Sequence, residues 1–169
     1  ANADVVLVVD NSGSMESRVG TLCNEPKGNF KDYSIARVYC PTCGARYWRI
    51  NIPDNCTGHK GVTKRIVAAR AVSEEFANSI LSSNGNKIAI IGFSHENDNG
   101  GVDPEAIKVS QPLTNDTTAV KTAIDRMEAD GGTNYTAALQ KAYEYLSGRS
   151  DSTRPGYVIF ISDGAPGLN

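Results

Sequence analysis

V-V-L-V-V-D-N-S-G-S-M, residues 5–15, sets an unbroken apolar run, Val5 to Val9, against an abrupt polar ending of Asp10, Asn11, Ser12 and Ser14, with Gly13 between the serines. A continuous apolar run, unlike an alternating one, suits a strand covered on both faces, as in the middle of a parallel sheet. Lys87 to Phe93 (K-I-A-I-I-G-F) and Tyr157 to Ile161 (Y-V-I-F-I) repeat the pattern. Helical periodicity fills the gaps. Ile66, Val67, Ala69, Ala71, Val72, Phe76, Ile80 and Leu81 recur at three- and four-residue spacing and predict a helix over 63–83, stopped by Asn84-Gly85. A second helix is predicted over 117–129 (Val120, Ile124, Met127), capped by Asn115 or Asp116. A third runs from Tyr135 to Leu146 (Leu139, Ala142, Tyr143, Leu146) and ends at Gly148. Ile107 to Leu113, poor in apolar residues, reads as a short edge strand. Strands alternating with helices predict an α/β class with a doubly wound, mainly parallel sheet.

The 169 residues, 40% apolar and 21% charged, are about one domain's worth of soluble chain. Lys plus Arg (17) nearly balance Asp plus Glu (19), so the composition signals no basic face and argues against nucleic acid as a partner. No run reaches the ~18 apolar residues that span a bilayer. No charged-then-apolar leader precedes Asp4, so the chain is expected to be soluble without a membrane segment of its own, any leader having been removed.

Residues 16–62 break the rhythm. They carry Pro26, Pro41, Pro53 and all four cysteines (Cys23, Cys40, Cys43, Cys56), with no sustained period of either kind. So long an aperiodic stretch within a domain points to function or cross-linking, and it reads as a cysteine-bearing insertion between the first strand and its helix.

In open α/β sheets ligands gather at the carboxyl ends of the strands. Three motifs lie there: Asp10-Asn11-Ser12-Gly13-Ser14 after the first strand, Gly131-Gly132-Thr133-Asn134 before the third helix, and Ser162-Asp163-Gly164 after the last strand. All offer oxygen; none offers sulfur or imidazole. Two carboxylates plus neutral hydroxyls suit a hard cation, Mg2+, Mn2+ or Ca2+, rather than zinc. Gly13 lets the backbone bend so that Ser12 and Ser14 face the place Asp10 faces. Taken singly, the first motif is equally an Asx turn with a helix cap, and the last a simple turn. Their conjunction at strand ends favours the cation.

These segments resemble the von Willebrand factor type A (vWA) domain, whose metal-ion-dependent adhesion site has the pattern D-x-S-x-S, then a distant Thr, then a distant Asp. Asp10, Ser12, Ser14, Thr133 and Asp163 match it position for position, and the likeness covers about residues 3–15 and 63–165. The resemblance implies a Rossmann-like sheet and a cation, Mg2+ or else Mn2+ or Ca2+, bound by the hydroxyls of Ser12, Ser14 and Thr133. Asp10 and Asp163 act on it directly or through water, and a Glu or Asp of a protein partner completes the octahedron. It also implies six strands in the order 3-2-1-4-5-6, of which this chain holds four. Residues 1–169 are therefore expected to form a single vWA domain incomplete at its C-terminal side. Strand 157–161 then becomes an apolar edge that another chain or a further segment would pair.

The insertion is outside the family pattern. Cys40-Pro41-Thr42-Cys43-Gly44 resembles a zinc knuckle that Cys23 and Cys56, or His59, would complete. Against zinc, Cys23 and Cys56 are singletons rather than a second C-x-x-C. Two disulfides in an oxidising compartment, with three pairings open, are the competing and preferred reading, because in exported relatives a cysteine-bearing loop beside the metal site is usually disulfide-bonded. A thioredoxin-like role is disfavoured, since the C-x-x-C does not sit at a strand-to-helix turn.

Asn55-Cys56-Thr57 and Asn115-Asp116-Thr117 match the glycosylation pattern, as does Asn134-Tyr135-Thr136, which reads better as part of the metal loop. His95 to Gly101 with Asp103 form an acidic stretch read as a solvated loop, with a second cation such as Ca2+ as the lesser reading. His59 and His95 read as surface residues.

The expectation is an extracellular or cell-surface, cation-dependent adhesion module of pilus or adhesin type. The insertion is expected beside the site, setting partner choice or covering the cation. Its first rival is an intracellular vWA partner of a ring ATPase, cytoplasmic, with zinc at the cysteines. Hydrolysis by a cation-activated water is the second; it is disfavoured because no His, Lys or third carboxylate is tied by motif to the site. No enzymatic activity is expected.

Overall fold

The computed structural model describes residues 2–16, 65–95 and 102–164, together with the backbone of short strands at 18–19, 37–39, 46–48 and 63–64. In chain order the strands are β1 (Asp4–Asp10), β2 (Arg18–Val19), β3 (Arg37–Tyr39), β4 (Arg46–Trp48), β5 (Thr63–Lys64), β6 (Lys87–Phe93), β7 (Ile107–Thr114) and β8 (Gly156–Ile161). The helices are α1 (Arg65–Leu81), α2 (Thr117–Asp125) and α3 (Tyr135–Ser147), with single 3-10 turns at Gly13–Glu16 and Pro104–Ala106. Among the described residues no helix is long and apolar enough to cross a membrane.

The chain divides into two units, residues 1–16 with 65–169, and residues 17–64. In the second unit, β2 pairs with β5 and β3 with β4, both antiparallel. The stretch read as aperiodic thus carries short ladders. Cys23, Cys40, Cys43, Cys56 and His59, and with them the disulfide and zinc readings, lie outside the described residues. So does the glycosylation motif at 55–57.

In the first unit β1 lies inside a four-stranded sheet of order β7-β6-β1-β8. Every residue of β1 is buried, which is why its apolar run does not alternate. Val5, Leu7 and Val9 pack with Ile66, Ala69 and Ala77 of α1 and Val120, Ala123 and Ile124 of α2. Val6 and Val8 pack on the other face with Ala138 and Ala142 of α3. The double winding follows from this alternation: successive side chains of a strand point to opposite faces, and both sets are apolar.

β1 pairs in parallel with β6 and β8, but β6 pairs antiparallel with β7. The sheet is therefore mixed, with an antiparallel edge. That edge carries Pro112, a residue that interior strands exclude because it cannot donate to a ladder. β8 forms the other edge, with Tyr157, Val158 and Phe160 exposed.

α2 is shorter than its periodicity predicts, ending at Asp125. The following residues leave the helix because the Asp130 N–H donates to the Asn11 carbonyl at 2.8 Å, which draws the chain to the end of β1. Asp116 caps α2 by accepting from the Thr118 and Ala119 N–H groups, as Asn134 caps α3 through Ala137 N–H. Lys121 joins α2 to α1 through Glu74 at 3.2 Å and reaches Asp125 at 3.3 Å; these hydrogen bonds, Glu74 first, hold its ammonium above the usual lysine range.

At the amino end of β1, Asp4 is 2% exposed. Arg154 Nε donates to its Oδ1 at 2.9 Å, Arg154 Nη2 lies 2.8 Å from the same oxygen, and Arg149 Nη1 lies 3.5 Å from Oδ2. The same Arg154 Nη2 donates to the carbonyls of Ala3 and Gly85. This buried acid is matched by cations.

Candidate metal centre

At its carboxyl end β1 finishes on Asp10, 1% exposed. Its Oδ1 accepts the Ser12 N–H at 2.8 Å, an Asx turn that swings the chain into the 3-10 turn Gly13–Glu16. Met15, buried in the α1 and α2 side of the core, anchors that turn from below. The Asx turn and the site are one device, since the turn is what aims the serines.

Ser12 Oγ lies 3.0 Å from Ser14 Oγ, and Ser14 Oγ donates to Asp163 Oδ1 at 2.9 Å. Ser162 Oγ donates to Asp10 Oδ2 at 2.7 Å. The hydroxyl of Tyr135 stands 2.7 Å from Ser162 Oγ and 2.8 Å from the Gly164 carbonyl. Its ring is held against Phe93 and Phe160, with centroids 5.3 and 6.2 Å away. Four of the five residues expected from sequence, Asp10, Ser12, Ser14 and Asp163, thus share one hydrogen-bonded constellation.

Thr133 arrives by backbone. The Gly13 N–H donates to the Gly131 carbonyl at 2.7 Å, which sets the threonine loop against the serine loop. Gly131 has φ +70°, and a Cβ there would lie within 3 Å of the His95 carbonyl oxygen; only glycine fits both demands. That carbonyl accepts the Gly132 N–H, so the end of β6 holds the loop as well. The Thr133 side chain is hydrogen-bonded to none of the other four.

His95, read from sequence as a surface residue, is instead 8% exposed. Its backbone is the clamp on Gly132, and its Nδ1 lies 3.7 Å from Asp103 Oδ2. Residues 96–101, on which the second-cation reading rests, lie outside the described residues.

Among the described residues no three His, Cys, Asp or Glu side chains cluster as metal ligands. The constellation is of another kind, two carboxylates joined through hydroxyls. Among the described residues one positive group bonds to it: Arg65, the first residue of α1, whose Nη1 pairs with Asp163 Oδ2. Sequence reasoning missed Arg65, since an ion pair across 98 residues leaves no local pattern. Tyr135 and Ser162 belonged to quoted motifs, but nothing in those motifs showed that they join.

The fold is shared with proteins of known structure. The pilus adhesin SpaC from Lactobacillus rhamnosus GG, in its open conformation, superposes with TM-score 0.59 at 21% identity, over 98% of this chain and 15% of that one. The vWF domain of the type V pili tip protein Mfa5 from Porphyromonas gingivalis gives TM-score 0.57 at 20% identity, over 98% of this chain and 38% of that one. The SpRpn10 VWA domain gives 0.54 at 12%, over 100% of this chain and 64% of that one. The chain therefore spans well under half of the two pilus proteins. No curated protein matches it. The family model of the von Willebrand factor type A domain matches residues 56–165, most of the chain. With the helix-flanked sheet and its strand order in place, the chain belongs to the von Willebrand factor type A domain family.

Proposed function

We propose that this domain is a divalent-cation-dependent protein-binding module of the adhesion kind, part of an exported or cell-surface protein. The observation that carries the reading is the constellation itself: Asp10, Ser12, Ser14 and Asp163 leave two different strands and meet in one hydrogen-bonded group. Its donors are all oxygen, which fits Mg2+, Mn2+ or Ca2+. Asp10, Ser12, Ser14, Thr133 and Asp163 would hold the ion. When bound, it supplies a Lewis-acidic position for a carboxylate oxygen of a partner's Glu or Asp.

The charge balance supports that choice of partner. Two carboxylates match the charge of a dication and the remaining donors are neutral, so an incoming carboxylate meets no excess of negative charge. Asp10 is fixed by the Ser12 N–H and Ser162, which keeps its oxygens in place without cancelling their charge. The reading assigns no chemical step to the site. The pilus proteins among the similar structures agree with an adhesive setting. The outer edge of β8 would pair with another chain or a further segment of the parent protein.

Titration of the chain with Mn2+, following the free ion by electron paramagnetic resonance, tests the site. The expected result is one saturable equivalent, with Asp10→Ala weaker by about 100-fold, or ~2.7 kcal/mol. Absence of saturable Mn2+ binding by the wild-type chain overturns the reading. The intracellular alternative keeps one support, the likeness to the SpRpn10 VWA domain. Intact mass separates the two. Two disulfides among Cys23, Cys40, Cys43 and Cys56 lower it by about four units until reductant is added, whereas one bound zinc ion favours the alternative.

A further inference from the structure

We propose that Arg65 is a tethered competitor of the divalent ion, so that the site takes up metal by exchange against a guanidinium. The inference rests on the metal-site reading and adds a residue to it that the D-x-S-x-S, Thr and Asp pattern does not contain. Three observations carry it.

First, the two carboxylates of the constellation are held differently. Among the described residues Asp10 accepts from neutral donors, the Ser12 N–H and the Ser162 hydroxyl. Asp163 has Ser14 on Oδ1 and the Arg65 guanidinium on Oδ2. Both oxygens of Asp163 are thereby engaged, one of them by a full positive charge. A cation using that carboxylate must share it with the guanidinium or replace it, and two positive groups against one carboxylate repel.

Second, the pair is built to open from one side. The Asp163 side chain is 10% exposed and that of Arg65 36%, so the acid is partly desolvated while the arginine reaches water. Its long stem, on the first residue of α1, lets the head swing out without moving the helix. A partly desolvated acid gains more from a close positive charge than an exposed one does, and this favours occupation by one cation or the other.

Third, an arginine that only matches a buried acid looks different in this molecule. Arg154 makes three further-reaching bonds at once, to Asp4 and to the carbonyls of Ala3 and Gly85, with its side chain 18% exposed. Arg65 Nη1 is bonded to Asp163, and twice as much of its side chain is exposed.

The test compares the wild-type chain with Arg65→Gln and Arg65→Lys by Mn2+ titration, with melting temperatures in chelator and in saturating Mn2+. Arg65→Gln is expected to bind Mn2+ about three- to tenfold more tightly, the range set by the loss of a partly exposed ion pair. It is also expected to melt lower in chelator, so that its Mn2+-induced rise exceeds that of wild type. Arg65→Lys, which keeps the charge, stays within about twofold of wild-type affinity. Equal or weaker Mn2+ binding by Arg65→Gln overturns the proposal and leaves Arg65 a structural partner of Asp163. If Arg65→Gln shows no cooperative melting, Arg65→Met, which keeps the stem, is held to the same criterion. Failure of the wild-type chain itself to bind Mn2+ overturns the metal-site reading and this inference with it, an outcome distinct from a wild type that binds and a variant that does not bind more tightly.

Discussion

β1 carries a buried acid at each end, and the two are treated in opposite ways. Asp4 is 2% exposed and faces two arginines; Asp10 is 1% exposed and faces an amide N–H and a hydroxyl. Burying a charge is costly unless it is paired or well hydrogen-bonded. Asp4 meets that cost by pairing, which cancels its field. Asp10 meets it with neutral dipoles, which fix the carboxylate but leave its field in place. The first arrangement closes the amino end of the sheet, and the second leaves the carboxyl end attractive to a cation. Burial alone does not separate these two acids; what distinguishes them is whether the partners carry charge.

The contrast breaks most visibly at Asp4. Asp4→Ala leaves two arginines without their partner and is expected to lower the unfolding free energy by about 3–5 kcal/mol, while a folded fraction still binds Mn2+ within about twofold of wild type; urea unfolding in chelator and Mn2+ titration check both halves. Gly131→Ala forces a Cβ toward the His95 carbonyl at positive φ, at a cost of about 1–3 kcal/mol. Because the threonine loop must shift, it should also weaken Mn2+ binding, an effect that Asp4→Ala lacks. Asp10→Ala, measured in chelator, is expected to cost only about 1 kcal/mol, the worth of ordinary hydrogen bonds, despite a burial equal to that of Asp4. A loss as large as that of Asp4→Ala would mean the two ends are alike after all. Tyr135→Phe removes a hydroxyl that touches Ser162 and the Gly164 carbonyl; a loss of about 0.5–1 kcal/mol is expected, together with a few-fold weaker Mn2+ affinity through Ser162.

Much of this was legible before the structure, for physical reasons that differ by element. The unbroken run Val5 to Val9 is a local signal for a strand buried on both faces, and it lies inside the sheet. Asp10, Ser12 and Ser14 lie within one turn, so their spacing alone carries geometry. Asp163, just past the end of β8, is hydrogen-bonded to Ser14. What escaped was whatever depends on distant backbone or distant charge. The polarity of β7 cannot be read from its composition, and it proved antiparallel. The early end of α2 comes from the bond of Asp130 to Asn11, and the burial of His95 accompanies its clamp on Gly132. Arg65, Arg149 and Arg154 look like any surface cation in the sequence, because only the fold brings their partners to them.

The register of β8 on β1 has a mechanical meaning. Val9 lies opposite Ile161, which is what sets Asp10 beside Ser162 and Ser14 beside Asp163. Sliding β8 along β1 by two residues moves it about 6.6 Å and lets the ladder re-form with the same faces inward. It also carries Asp163 beyond hydrogen-bond reach of Ser14. The oxygen constellation exists in one register only, and it is a gauge of shear between the two strands that bear it.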